Sequence, residues 1–109
     1  QIRLFSRAVA VLGAHGAGLT NALFAPSGGV VLELMPEMLQ RASVHMIFWH
    51  LAVSVGHHHA SYIVPHNLMS TDNSTALHNF RVPVQDVARH LREMLQKCPI
   101  LSKRRHAVL

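Results

Sequence analysis

Apolar residues run without a break from Ala8 to Ala14 (AVAVLGA) and stop in a stretch rich in glycine. A continuous apolar run, rather than an alternating one, is the pattern of a strand covered on both faces, as in parallel sheets. Gly16 to Phe24 then permits a loop followed by a short helix, which Ala25, Pro26, Ser27, Gly28 and Gly29 bring to an end. Val30 to Met35 reads as a second apolar strand, interrupted only by Glu33. From about Leu39 to Val55 the residues suit a helix and are apolar on most sides, which predicts a helix lying between the sheet and another layer, with Gly56 as its stop. Ser61 to Val64 resembles a third strand, with room to extend back through His57–His59, and Pro65 closes it. The Asn, Asp, Ser and Thr content of HNLMSTDNSTALHN marks residues 66–79 as a loop. In the last segment Val84, Val87, Ala88, Leu91, Leu95 and Cys98 recur at three- and four-residue steps, with Gln85, Asp86, Arg89, Arg92 and Glu93 on the other side. That is an amphipathic helix with Pro83 at its start.

Alternating strand and helix predict an α/β fold, a parallel sheet with flanking helices joined by right-handed crossovers. Sheets of this kind bind ligands at the carboxyl ends of their strands, and LGAHGAG at Leu12–Gly18 occupies such an end. Residues 1–98 form one partial domain in this reading, and residues 99–109 a basic tail.

Composition adjusts this picture only at its margins. The chain has 109 residues, half of them hydrophobic, enough for one modest core. It begins at Gln1, without a charged leader or a small-residue cleavage site, and is expected to be a piece of a longer protein. The net charge is +5, but the basic residues are scattered except for Lys103, Arg104 and Arg105 beside His106. No stripe suited to nucleic acid is present. The tail SKRRH reads as a solvated end or as a contact for an acidic partner. Val44 to Val55 is about twelve residues long and holds His45 and His50, where a membrane span needs about twenty; any membrane anchor is expected outside this sequence. Cys98 is the single cysteine, a small core residue or a partner for a cysteine elsewhere in a longer chain.

The loop after the first strand carries the candidate chemistry. A loop that leaves a strand and enters a helix aims unpaired backbone NH groups outward, and the helix dipole adds positive charge there. Gly13, Gly16 and Gly18 are spaced G-x-x-G-x-G, which is neither the dinucleotide fingerprint nor a P-loop. That spacing also disfavours a nucleotide-dependent oxidoreductase or methyltransferase. His15 can donate a hydrogen bond to a diphosphate and, as imidazolium, stabilise a leaving group. Thr20 and Asn21 add polar groups in the first helical turn. The alternative is structural: His15 packs the loop while Thr20 and Asn21 cap the helix.

HGAGLTNALF at His15–Phe24, followed by PSGGVVLELMP at Pro26–Pro36, resembles the signature of family-61 glycosyltransferases. That group includes plant xylosyl- and arabinosyltransferases and animal O-linked N-acetylglucosaminyltransferases of the secretory pathway. The likeness extends in layout from the strand before His15 to the helix near Leu95, and it is exact across HGAGLTN. It implies a GT-B architecture of two Rossmann-like domains, with this chain from the C-terminal half that holds the donor nucleotide. By the same resemblance His15, Gly16, Ala17 and Gly18 lie against the donor diphosphate, with Thr20 and Asn21 next in line. The implied activity is transfer of a pentosyl or N-acetylglucosaminyl group, with inversion, from a nucleotide sugar (a UDP-sugar is expected) to a glycan or protein acceptor. The implied setting is the Golgi or endoplasmic reticulum lumen, in a membrane-anchored parent. The base for such transfer is expected from the other domain, and the isolated chain is expected to be inactive. A non-catalytic nucleotide-binding module, or degenerate transferase, is the alternative.

Three further features bear on this. Glu33 is the lone acid in an apolar strand, and a buried carboxylate needs a partner. Ribose or sugar hydroxyls are one candidate, and a structural hydrogen bond to a loop or an arginine is the other. His57, His58 and His59 do not suggest a metal site, because successive strand side chains point to opposite faces; no metal or other cofactor is expected, in line with the metal-independent chemistry usual for GT-B enzymes. His45 and Trp49 are one helical turn apart and are read as packing together. Asn73, Ser74 and Thr75 form an N-x-[ST] acceptor, either glycosylated in a lumenal protein or an unmodified polar turn.

Overall fold

In the computed structural model, which describes residues 2–41, 46–69 and 80–98, three strands form one parallel sheet: β1 (Ala10–Ala14), β2 (Val30–Pro36) and β3 (His58–Val64), in the order β1-β2-β3. The sequence VVLELMP forms the middle strand because it has apolar groups for both faces. β2 is buried at every position except Leu34, which is half-buried. Val31 of β2 pairs with Val11 of β1, and Glu33 pairs with Gly13 on one side and Ser61 on the other.

Strand alternation gives the sheet two distinct faces. On one, Val11 and Val31 meet Leu19, Ala22, Phe48 and Ala52 in a buried cluster edged by Phe5, Ala8 and Ala25. Leu19 and Ala22 come from a 3-10 helix, Ala17–Phe24; Phe48 and Ala52 come from α2 (Ile47–Ser54). Phe5 belongs to a four-residue turn, α1 (Ile2–Phe5), for which the sequence reading assigned no element. The other face is covered at β2 and β3 by α3 (Val84–Gln96), where Tyr62 of β3 meets the edge of the His90 ring at 5.3 Å. The architecture is therefore a small parallel α/β sheet with helices on both faces.

β1 was expected to be covered on both faces, but it is the sheet's edge among the described residues, and α3 packs mainly on β2 and β3. Val11 is buried while Leu12 on the opposite face is 46% exposed. The helix expected over Leu39–Val55 is divided: a 3-10 helix, Glu37–Arg41, precedes α2, and residues 42–45, including His45, lie outside the described residues. Phe48 and Ala52, four apart, give α2 an apolar stripe that packs on the sheet; Glu37, Met38 and Gln40 are exposed and offer no such stripe. Nor is α2 enclosed on most sides, since Ile47, Trp49 and Val53 are exposed. It ends before Gly56, as expected.

The face of α3 is also only partly covered: Val87 is buried, Val84 is exposed, and Ala88, Leu91 and Leu95 are intermediate. Cys98 is buried, yet it lies beyond the last helical residue, Gln96. Its thiol donates to the carbonyl of Gly28 at 3.0 Å, so the turn before β2 buries it rather than the helix face. Asn73 and the basic segment 99–109 lie outside the described residues.

Candidate functional site

The loop between β1 and its 3-10 helix sits at the carboxyl end of the sheet. The amide of His15 donates to the carbonyl of Leu34 at 2.9 Å, so the β1–β2 pairing continues one residue past Ala14. The chain then turns at Gly16, whose φ of 154° and ψ of 172° suit glycine alone. This turn lifts the backbone off the sheet and starts the helix, where the amide of Leu19 donates to the carbonyl of Gly16 at 3.0 Å. The amides of Gly16, Ala17 and Gly18 have no acceptor among the described residues. The unpaired donors expected of this loop are thus three, and that of His15 is not among them.

The ring of His15 turns toward the sheet. Its Nδ1 meets Oε1 of Glu33, and its edge meets the ring of Phe48 at a centroid distance of 5.2 Å and an angle of 79°. The side chain keeps 13% of its surface exposed, and Nε2 has no partner among the described residues and is not a buried orphan. The inward contacts are those of the loop-packing reading: Nδ1 is bound within the protein, while Nε2 has no partner among the described residues.

Glu33 lies on the same face as Val31 and is fully buried. Oε2 meets Nε2 of His59 at 2.8 Å, while Oε1 meets His15. Of the two roles considered for Glu33, the structural hydrogen bond is the one present. One partner, His15, belongs to the loop after β1, as that reading expects; the other is His59 of β3 rather than an arginine, and no part of the side chain is open to a sugar or ribose hydroxyl. Burial pushes the Glu33 carboxyl upward, but the hydrogen bonds from His59 and His15, with the attraction of both rings when charged, outweigh it and hold the group below its usual value. It remains a carboxylate at neutral pH.

Around this centre the other candidates take separate places. Thr20 is exposed. The amide nitrogen of Asn21 donates to the carbonyl of Gly18 at 3.0 Å, and no side chain caps the helix, whose N-cap is Gly16. Gly18 has an ordinary φ, and a Cβ built on it meets nothing within 4 Å among the described residues. At Gly13, by contrast, a Cβ approaches Cδ2 of Leu19 to 3.1 Å, so the close packing of strand and helix accounts for that glycine.

The three successive histidines diverge. His57 is buried, its Nε2–H donating to the carbonyl of Ala22 at 2.9 Å and its Nδ1 lacking a partner; His58 is exposed; His59 reaches Glu33. Among the described residues no group of three or more histidine, cysteine or acidic side chains is arranged to hold a metal ion. No helix among them is long and apolar enough to cross a membrane. Trp49 meets the edge of His50, at 4.9 Å; its expected partner His45 is outside the described residues. The sequence reading missed His59 as a member of the site. The signal was available, since a lone acid in a central strand needs donors, and both flanking segments supply a histidine near it.

A groove of about 760 Å³ lies beside the open edge of β1, between Arg3 and Leu12. Its lining is mostly apolar and does not include His15. Comparison of the chain with protein-family models, with curated proteins and with solved structures gave no match.

Proposed function

We propose that this chain binds the diphosphate of a nucleotide sugar, expected to be a UDP-sugar, at His15–Gly18, and is the donor-binding half of a GT-B glycosyltransferase. The observation that carries this reading is the set of three amides at Gly16, Ala17 and Gly18 that lack acceptors, beside an imidazole whose Nε2 is open, at the carboxyl end of a parallel sheet. Gly18 supports it. Glycine inside a helix costs about 0.5–1 kcal/mol relative to alanine, and neither backbone conformation nor the described neighbours require it here. An oxyanion lying against the backbone supplies the reason. The resemblance of HGAGLTN to family-61 glycosyltransferases supplies the reaction: transfer of a pentosyl or N-acetylglucosaminyl group to a glycan or protein acceptor in the secretory pathway.

Among the described acids Glu33 is enclosed, and Glu37, Asp86 and Glu93 are exposed and distributed over two other elements. The base that takes the acceptor proton is accordingly assigned to the acceptor-binding partner domain. UDP and UDP-sugars titrated against the full-length protein test the reading. A charge-assisted hydrogen bond contributes roughly 1.5–3 kcal/mol, so His15→Ala is expected to weaken binding by about tenfold or more. Unchanged affinity rejects the assignment.

A further inference from the structure

We propose that Glu33 is a positioning residue for His15: it accepts the Nδ1–H of the ring, leaves Nε2 as the only nitrogen facing the loop, and so makes phosphate binding coincide with uptake of one proton. This inference rests on the diphosphate-binding reading and specifies the chemical state in which that site works.

An ionised carboxylate only accepts hydrogen bonds, so both ring nitrogens that meet Glu33 must carry hydrogen. His59 therefore presents Nε2–H and His15 presents Nδ1–H. In neutral His15 the second nitrogen, Nε2, then holds a lone pair. A phosphate oxygen is also an acceptor, and two acceptors do not bond. His15 meets phosphate only after Nε2 gains a proton from solvent, becoming an imidazolium that donates to Glu33 at one end and to the ligand at the other.

The surroundings fit that role. Glu33 is fully buried, and its second oxygen is fixed by His59 at 2.8 Å, so the carboxylate is not free to swing away from Nδ1. The groups facing His15 from each packed element are few. β2 contributes Glu33, and β3 contributes His59 behind it. The 3-10 helix Ala17–Phe24 has no titratable side chain; α2 turns Phe48 against the ring, while its His50 is exposed beside Trp49. Among the described residues, Glu33 is thus the sole negative group that can stabilise the imidazolium. A structural histidine sealed in the core needs no open Nε2, and a histidine held for phosphate by its own neutral N–H needs the opposite tautomer.

Two measurements on the full-length protein decide the matter. Long-range 1H–15N spectra of histidine-labelled protein, at alkaline pH and without ligand, are expected to show His15 with hydrogen on Nδ1. Calorimetric titration with UDP-xylose and UDP-N-acetylglucosamine, in buffers of different ionisation enthalpy, is expected to show uptake of about one proton per ligand. Both phosphoryl groups of these probes are fully ionised near neutrality, so the proton belongs to the protein. Because the bound ring carries one proton more than the neutral free ring, affinity is expected to fall as pH rises, by about tenfold per pH unit at full linkage to one proton. Glu33→Gln keeps the shape and, with its amide oxygen still accepting from Nδ1 of His15 and its amide nitrogen donating to His59, lacks only the charge. Its affinity is expected to fall further below wild type as pH rises and to approach wild type as pH falls.

Hydrogen on Nε2 of His15 in the free protein overturns the proposal, whether or not a ligand binds. Binding without proton uptake also overturns it, and leaves the diphosphate reading standing. An equal loss in Glu33→Gln at every pH marks Glu33 as merely structural and overturns it as well. If neither probe binds wild type at any pH, the diphosphate reading fails, and the proton-linked role fails with it.

Discussion

Gly18→Ala separates what the fold needs from what the ligand needs. Gly18 is the second residue of the 3-10 helix Ala17–Phe24, its φ is not positive, and an added methyl group meets no described atom within 4 Å. Alanine at such a position constrains the unfolded chain without straining the native one, which stabilises by about 0.4–1 kcal/mol. For a domain of this size that raises the melting temperature by roughly 2–8 °C. On the proposed reading a phosphate lies against the three amides beside Gly18, so an added methyl group is expected to crowd it and to lower affinity for a UDP-sugar by about tenfold or more, some 1.4 kcal/mol. Differential scanning calorimetry and ligand titration of one protein preparation give both numbers. A more stable variant that binds as tightly as wild type refutes the claim that the space above Gly18 belongs to the ligand. A less stable variant refutes the account of the local backbone. Gly16→Ala is the control: its φ of 154° demands glycine, and the substitution costs about 1–3 kcal/mol whether or not a ligand binds.

Other outcomes follow from the buried groups. Because the Glu33 carboxyl is held below its usual value in the folded chain, its contribution is fully present above the range where exposed glutamates titrate, about pH 4.3, and is lost as pH falls through the lower folded value. Urea midpoints are expected to show the gap between wild type and Glu33→Gln narrowing from pH 6 toward pH 3; a gap that stays constant contradicts the assignment. Leu32 is fully enclosed in the central strand, and Leu32→Ala is expected to cost about 2–5 kcal/mol by chemical denaturation. The Cys98 thiol is 2% exposed and bonded to Gly28, so a thiol reagent such as DTNB is expected to label it only after unfolding; rapid labelling of the native protein contradicts its placement.

The main lines of this fold were legible because they depend on composition that no other element tolerates. VVLELMP is too apolar for anything but an enclosed strand, and strand–helix alternation required the parallel sheet that β1, β2 and β3 form. AVAVLGA reads as equally enclosed, yet exposure is decided by what packs on the strand, and α3 lies mainly over the other two. Helical suitability over 39–55 did not reveal where the helix begins, because the Phe48 and Ala52 contact sets that. At the site, the glycines and His15 stood out by local sequence alone. His59 did not, since its tie to Glu33 spans 26 residues and exists only through strand pairing.

That dependence on pairing has a consequence for assembly. His15, Glu33 and His59 converge because three separate strands have met in one frame, with Gly13 and Ser61 flanking Glu33. A slip of one residue sends every side chain of a strand to the opposite face. A misaligned β2 then carries its acid toward α3 and leaves both imidazoles without their carboxylate, so the trio forms only when the strands meet in their native frame.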